Sequence, residues 1–378
     1  MKVLSRLVPA IGVGMLAMTA LAAPAFASTG AKAGDSWNTG AVFVQTDNTA
    51  GNAVVSYHRA ADGTLTLAGT YPTGGVGGKL DGSMVDHTAS QGSLTYDSEH
   101  GLLFAVNAGS DTVSVFRVSG DRLELRQVIW SGGAFPVSVT VHGDHVYVLD
   151  ALGGGKLYGY RITGGHLTPI PGSSRRLGLD PTATPQFTNT PGQVAFTPDG
   201  SQVLVTTKAN GNDVDVFAVR PDGRLSHSPV VNSEPNAVPF AISFDRAGHV
   251  LIAEAGPSAL ATFALSAGGT LTQLGIADTG QAATCWVAPA GGYFYTSNAG
   301  SGSVSGYTVD GAGQLTALGN TKTDAGTVDA SSAGGFLYVQ AGAAGNVDEF
   351  AVGAGGALTP VGSVTVAGAA GGEGIVAL

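Results

Sequence analysis

The chain has 378 residues, 59 of them glycine, with 43% apolar and only 12% charged residues and a single cysteine. Its apolar residues fall in short, orderly runs between glycine turns, which excludes a disordered chain, and one cysteine excludes an intramolecular disulfide. The 17 basic and 27 acidic residues give a net charge of −10, which argues against nucleic acid and anionic membrane surfaces as partners.

The first residues read as a secretory leader: Lys2 and Arg6, an apolar run over 7–21, then the small-x-small triplet Ala25-Phe26-Ala27. Cleavage is expected before Ser28, and loss of Lys2 and Arg6 takes the charge from −10 to −12. The run is short for a membrane anchor, and no later stretch is apolar enough to span a bilayer. The expected organisation is a signal peptide over 1–27, an N-terminal segment over 28–39 and one domain over 40–378, with the mature protein secreted and monomeric.

From residue 41 onward an internal repeat dominates. An aromatic residue closes a short alternating strand at Tyr57, Phe116, Tyr160, Phe217, Phe263, Tyr307 and Phe350. Shortly after each stands a leucine: Leu65, Leu123, Leu167, Leu225, Leu271, Leu315 and Leu358. Glycine-bearing turns such as Ala61-Asp62-Gly63 and Pro221-Asp222-Gly223 lie between them, and strand, glycine turn, strand is a hairpin signature. Two further apolar strands precede each aromatic, as at 137–141 and 146–149 or 241–244 and 250–253. Each repeat therefore holds four antiparallel strands. One such sheet cannot bury both faces, whereas seven around an axis can, so the expected fold is an all-β, seven-bladed propeller. The first repeat lacks an inner strand, and the tail 373–378 reads as one, so the tail is expected to close the ring in the first blade.

Two connections are long, 73–92 and 171–191, and both join an outer strand to the next inner strand on the face of the channel mouth. Long loops there point to function. Aligning the repeats places Asn107, Lys208, Glu254 and Asn298 nine residues before the repeat aromatic, and Asp47, Asp150 and Gln340 ten before it. All stand where the second strand leaves the blade, as a polar ring for a small oxygen-rich ligand. Lys208 and Glu254 belong to consecutive blades, the first suited to hold an anion and the second to act as base or activate water. His87, in the first long connection, is the one histidine placed to reach the mouth. Gln193, Phe240 and Trp286, at starts of inner strands, complete the expected ligand-facing set with Asn107, Asp150 and Asn298. Cys285 reads as a buried apolar residue.

Other motifs fail. The stretch 74–79 lacks the spacing and the Ser or Thr of a phosphate loop, and no Gly-x-Ser-x-Gly elbow appears. His142 and His145 sit on a two-strand turn without further metal ligands. No cofactor motif is evident, although a divalent cation held by backbone carbonyls in the channel would leave no trace in sequence.

The seven repeats, the Phe196-Thr-Pro-Asp-Gly200 turn and strands such as Phe336-Leu-Tyr-Val339 resemble lactonase-family propellers, over roughly residues 40 to 378. That family includes bacterial 6-phosphogluconolactonase and fungal carboxymuconate cyclase, so the resemblance implies opening or closing of a small lactone. Enzymatic members carry Gly-Pro-Arg-His at the start of one inner strand and Asn-Glu at the end of the next strand. Here Val238-Pro-Phe-Ala241 and Ala253-Glu254 correspond, which keeps the glutamate and replaces the arginine and histidine with Phe240 and Ala241. Phenylalanine cannot hold an anion bidentately. Segments such as Ala282-Ala-Thr-Cys-Trp286 resemble a secreted bacterial subgroup. Two readings stay open here: a secreted lactonase or lactone-forming cyclase using Glu254, Lys208 and His87, and a non-catalytic propeller binding an extracellular glycan, peptide or cell-envelope protein.

Overall fold

The structure, a computed structural model, describes residues 40–378. The expected leader and the 28–39 segment lie outside the described residues.

Seven antiparallel sheets follow one another along the chain, six of them made of consecutive strands. The exception is the first blade, whose order is Ile375–Ala377, Gly40–Gln45, Ala53–Arg59, Leu65–Pro72. The C-terminal strand thus supplies the missing inner strand, with Val42, Phe43 and Val44 opposite Ala377, Val376 and Ile375. Each blade has four strands along its main path, and the third adds the two-residue strand Arg175–Arg176 from the second long connection.

The packing follows from the repeat. The second strand of each blade is buried because neighbouring blades cover both faces, along its whole length at Leu102–Asn107 and after a half-buried first residue in strands such as His145–Asp150. The repeat aromatics are buried as well. In five of the seven blades the register shifts at that aromatic, as between Ser56 and Tyr57 or Thr262 and Phe263. Such bulges bend and twist the strand, which suits a blade that must fan outward from the axis. Among the described residues the core divides into seven clusters, each spanning at least two adjacent blades; one joins Val42, Tyr57 and Ile375 of the first blade to Tyr338 and Val347 of the seventh. Tyrosines tie blades together where water is absent. Tyr147 Oη donates to Gly223 O at 2.7 Å, Tyr295 Oη to Gly356 O at 2.8 Å and Tyr338 Oη to Gly63 O at 2.8 Å, the last across the seam where the ring closes. Each acceptor lies in the outer hairpin turn of the next blade. Among the described residues, no helix is long and apolar enough to cross a membrane.

Candidate functional site

Both long connections fold over one end of the channel. The first contributes Ser83, Met84, Val85, Asp86 and Ala89, the second Phe187 and Thr188, to the wall of one cavity of about 480 Å³. The opposite wall comes from blades four to six: Lys208, Val238, Phe240, Cys285 and Trp286, with alanines between them. The backbone here is unusual. Ala89, Lys208, Val238 and Ala283 all line the cavity in the left-handed region, with φ of 48°, 52°, 50° and 57°. Non-glycine residues held there are strained by about 1 kcal/mol or more, and such strain concentrates at functional sites.

Lys208 is the hub. It stands at the end of Gln202–Thr206, in the tight turn Lys208–Asn210, and is 1% exposed. Its Nζ donates to Ala89 O at 2.6 Å in the first connection, and to Phe187 O at 2.7 Å and Thr190 Oγ1 at 3.2 Å in the second. One ammonium therefore pins both loops to the fourth blade. The same nitrogen lies 5.3 Å from the Phe240 ring centroid, a cation–π arrangement. Burial pushes the Lys208 pKa down to about 7, against the opposing pull of the nearby Asp86 carboxylate.

Asp86 is the one carboxylate in the cavity wall. Its Oδ1 accepts from Thr88 N and Thr88 Oγ1, both at 2.8 Å, and its Oδ2 accepts from Ser90 N at 2.9 Å. This is an Asx-type turn that shapes the loop. Burial raises its pKa above the ordinary carboxylate range, with the hydrogen bonds opposing. Phe240 and Trp286 meet edge to face with centroids 5.0 Å apart, and Trp286 Nε1 donates to Ser90 O at 2.6 Å. The Cys285 thiol sits in the same wall, its pKa pushed up to about 12 by burial, so it stays protonated.

Of the residues singled out in the sequence, Lys208, Phe240 and Trp286 converge on this cavity. Glu254 is not in its wall; burial raises its pKa to about 7, and the charge acting on it is Glu234, so it is not paired with Lys208. The His87 ring rests on Gly371, whose φ of 82° and closeness to the ring, 2.1 Å from an added Cβ to Nε2, admit glycine alone. Asn107 and Asn298 are engaged within the sheets: Asn107 Nδ2 donates to Thr112 and Ser114, and Asn298 Nδ2 to Ser303 and Ser305. Asp150 accepts from Ser131 Oγ at 2.6 Å, and burial raises its pKa to about 7. Gln193 Oε1 accepts from Ile242 N at 2.6 Å and lines a second opening of about 460 Å³ with Gln91 and Ser331. Asp86, Met84 and Phe187 were not singled out as ligand-facing. The Asp86-His-Thr88 spacing of an Asx turn was the available signal for the first of them.

The model for the lactonase family of seven-bladed β-propellers matches residues 82–371. The chain belongs to that family. Lactonase-type propellers also head the structural likenesses. A Bacteroides uniformis protein provisionally assigned as a 6-phosphogluconolactonase superposes with a TM-score of 0.72 at 17% identity, covering 90% of this chain and 100% of that one. The periplasmic gluconolactonase of Pseudomonas aeruginosa superposes with a TM-score of 0.70 at 17% identity, covering 90% and 99%. At this identity the likeness is one of fold. No curated protein sequence matches the chain.

Beneath the cavity of this lactonase-family propeller, the polar contacts run inward. Thr88 Oγ1 and Ser90 Oγ each lie 3.4 Å from Glu373 Oε2, and Gly92 N donates to Glu373 Oε1 at 3.1 Å. Glu373 N donates to Asp47 Oδ2 at 3.0 Å, and the Glu373 and Asp329 carboxyls share a hydrogen bond. Burial, then neighbouring Asp329 and Asp86, push the Glu373 pKa well above its ordinary range. Two carboxyls in contact inside a protein hold a proton between them. Among the described residues, no three His, Cys, Asp or Glu side chains are grouped as around a metal ion.

Proposed function

We propose that the cavity at the channel mouth binds a lactone and opens or closes its ring. One observation carries this reading: both long connections close on one largely apolar chamber that holds a buried cation and a buried carboxylate, Lys208 and Asp86. In the opening direction, water attacks the lactone carbonyl while Asp86 takes the water proton through the remaining lone pair of Oδ2. The C–O bond of the ring breaks, the departing alkoxide takes up that proton, and a hydroxy acid leaves. Lys208 supplies positive charge beside the carbonyl oxygen, where negative charge develops, in a setting too dry for bulk water to screen it. Burial, which raises the Asp86 pKa, makes its carboxylate a stronger base than a solvated one.

The test is Asp86→Asn, which keeps one acceptor oxygen for the loop and removes the base. Lactone turnover measured by pH-stat should fall about 100-fold or more, with an unchanged circular dichroism spectrum. Wild-type turnover in the variant would remove Asp86 from the mechanism. A second reading, lactone binding without chemistry, is favoured by the complete engagement of the Lys208 protons within the protein.

We further propose that the protein is exported, on the strength of Lys2, Arg6, the apolar run and Ala25-Phe26-Ala27. N-terminal sequencing of protein recovered from culture medium should begin at Ser28. A chain that stays in the cytoplasm with Lys2 intact would contradict it.

A further inference from the structure

We infer that the ligand of the mouth cavity is a lactone with an apolar alkyl or aryl body, and not a polyhydroxylated or phosphorylated sugar lactone. The inference rests on the reading of this cavity as the lactone site and narrows its substrate class.

A sugar lactone brings several hydroxyls, and each loses its water on entering. Unless the wall supplies a partner, each is left unsatisfied, and discrimination against such a ligand is strong. Here the polar side chains of the wall are already engaged by the protein, apart from one lone pair of Asp86 Oδ2, which can meet a single donor and not several hydroxyls. Lys208 Nζ has three protein acceptors. Trp286 Nε1 is held by Ser90 O. Ser83 Oγ donates to Asp86 O, and Thr188 Oγ1 to Pro185 O at 3.2 Å. The Asp86 oxygens accept three bonds from their own loop. A phosphate fares no better, because no arginine lines the cavity and its one cation has no free N–H.

The rest of the wall favours an apolar body. Phe240 and Trp286 present an aromatic corner, and Met84 stands at the lip with 81% of its surface exposed. An exposed methionine at the rim of an apolar chamber gains burial when a chain lies across it, and its flexible thioether adapts to many shapes.

Three probes separate the possibilities: γ-decalactone, dihydrocoumarin and D-glucono-δ-lactone, each followed by titration calorimetry for binding and by pH-stat for ring opening. Saturable binding of the first two with a negative heat-capacity change, and none of the third, is the expected result. Met84→Ser should weaken γ-decalactone binding about tenfold. Ala209→Phe, which fills the cavity from a half-buried wall position, should abolish it. Binding without ring opening would sustain this inference while overturning the catalytic reading. Binding or opening of glucono-δ-lactone as good as that of γ-decalactone would overturn the inference and leave the lactone reading standing. Failure of both apolar lactones to bind would overturn it outright.

Discussion

Removing the last six residues, 373–378, should leave a protein that does not fold. The loss would take away the inner strand of the first blade, including the pairing of Val42, Phe43 and Val44 with the tail. It would also remove Gln45 N→Gly374 O at 2.9 Å, Leu378 N→Ala41 O at 2.8 Å and the Arg59 bond to Leu378 O at 3.3 Å. Ile375, 4% exposed, would leave the cluster between the seventh and first blades. At about 1 kcal/mol per hydrogen bond and 2–3 kcal/mol for a buried isoleucine, the sum approaches the roughly 5–15 kcal/mol by which whole domains are stable. The graded version is Ile375→Ala, expected to cost about 2–5 kcal/mol in denaturant melts. A truncated chain with a cooperative transition within a few degrees of the full protein would show that the seam contributes little.

The second large effect is a dependence of stability on pH opposite to that of most proteins. Burial raises the pKa of Asp47, Asp150, Asp215, Glu254, Asp329 and Glu349 to about 7, and burial with neighbouring carboxyls raises that of Glu373 well above its ordinary range. The unfolded chain releases these protons near pH 4. Between about pH 4 and 7 the folded protein therefore binds more protons than the unfolded one, and stability falls as pH rises through that window. Lys208 acts in the other direction but above pH 7, where its folded form has lost a proton that the unfolded chain keeps. His87 and His145, whose pKa values burial lowers, oppose the trend below their ordinary range. Seven carboxyls outweigh two imidazoles, so Tm should drop by roughly 5 °C or more between pH 5 and pH 7. Asp329→Asn should flatten the profile, because it removes the partner that holds the Glu373 proton. A Tm that rises over the same interval would mean that these carboxyls are ionised in the fold.

The fold was legible because it repeats. The seven aromatics, each followed by a glycine turn and a leucine, mark a single unit, and one unit of four strands has one way to bury both its faces. The unpaired strand of the first repeat pointed in the same manner to the tail. The site was less legible, and the reason is local. Aligned positions at the ends of second strands share a place in the blade, but the repeat does not say which way each side chain turns. Asn107 and Asn298 turn into their sheets, Glu254 lies near Glu234, and Lys208 alone of that set enters the cavity. What aims Lys208 is the path of two loops without repeat counterparts. Ala89, Phe187 and Thr190 supply its acceptors, and no spacing rule connects those residues to position 208. Asp86 carried a turn signal in its own spacing, yet its position in a wall shared with Lys208 arises only when the first long connection folds back over the mouth.

The most direct measurement is a crystal structure of the protein with γ-decalactone bound. The ring should lie beside Asp86 and Lys208, with the alkyl chain against Phe240 and Trp286 and its end reaching Met84. A lactone seated instead in the second opening, near Gln193 and Ser331, with the mouth cavity unchanged, would contradict the account.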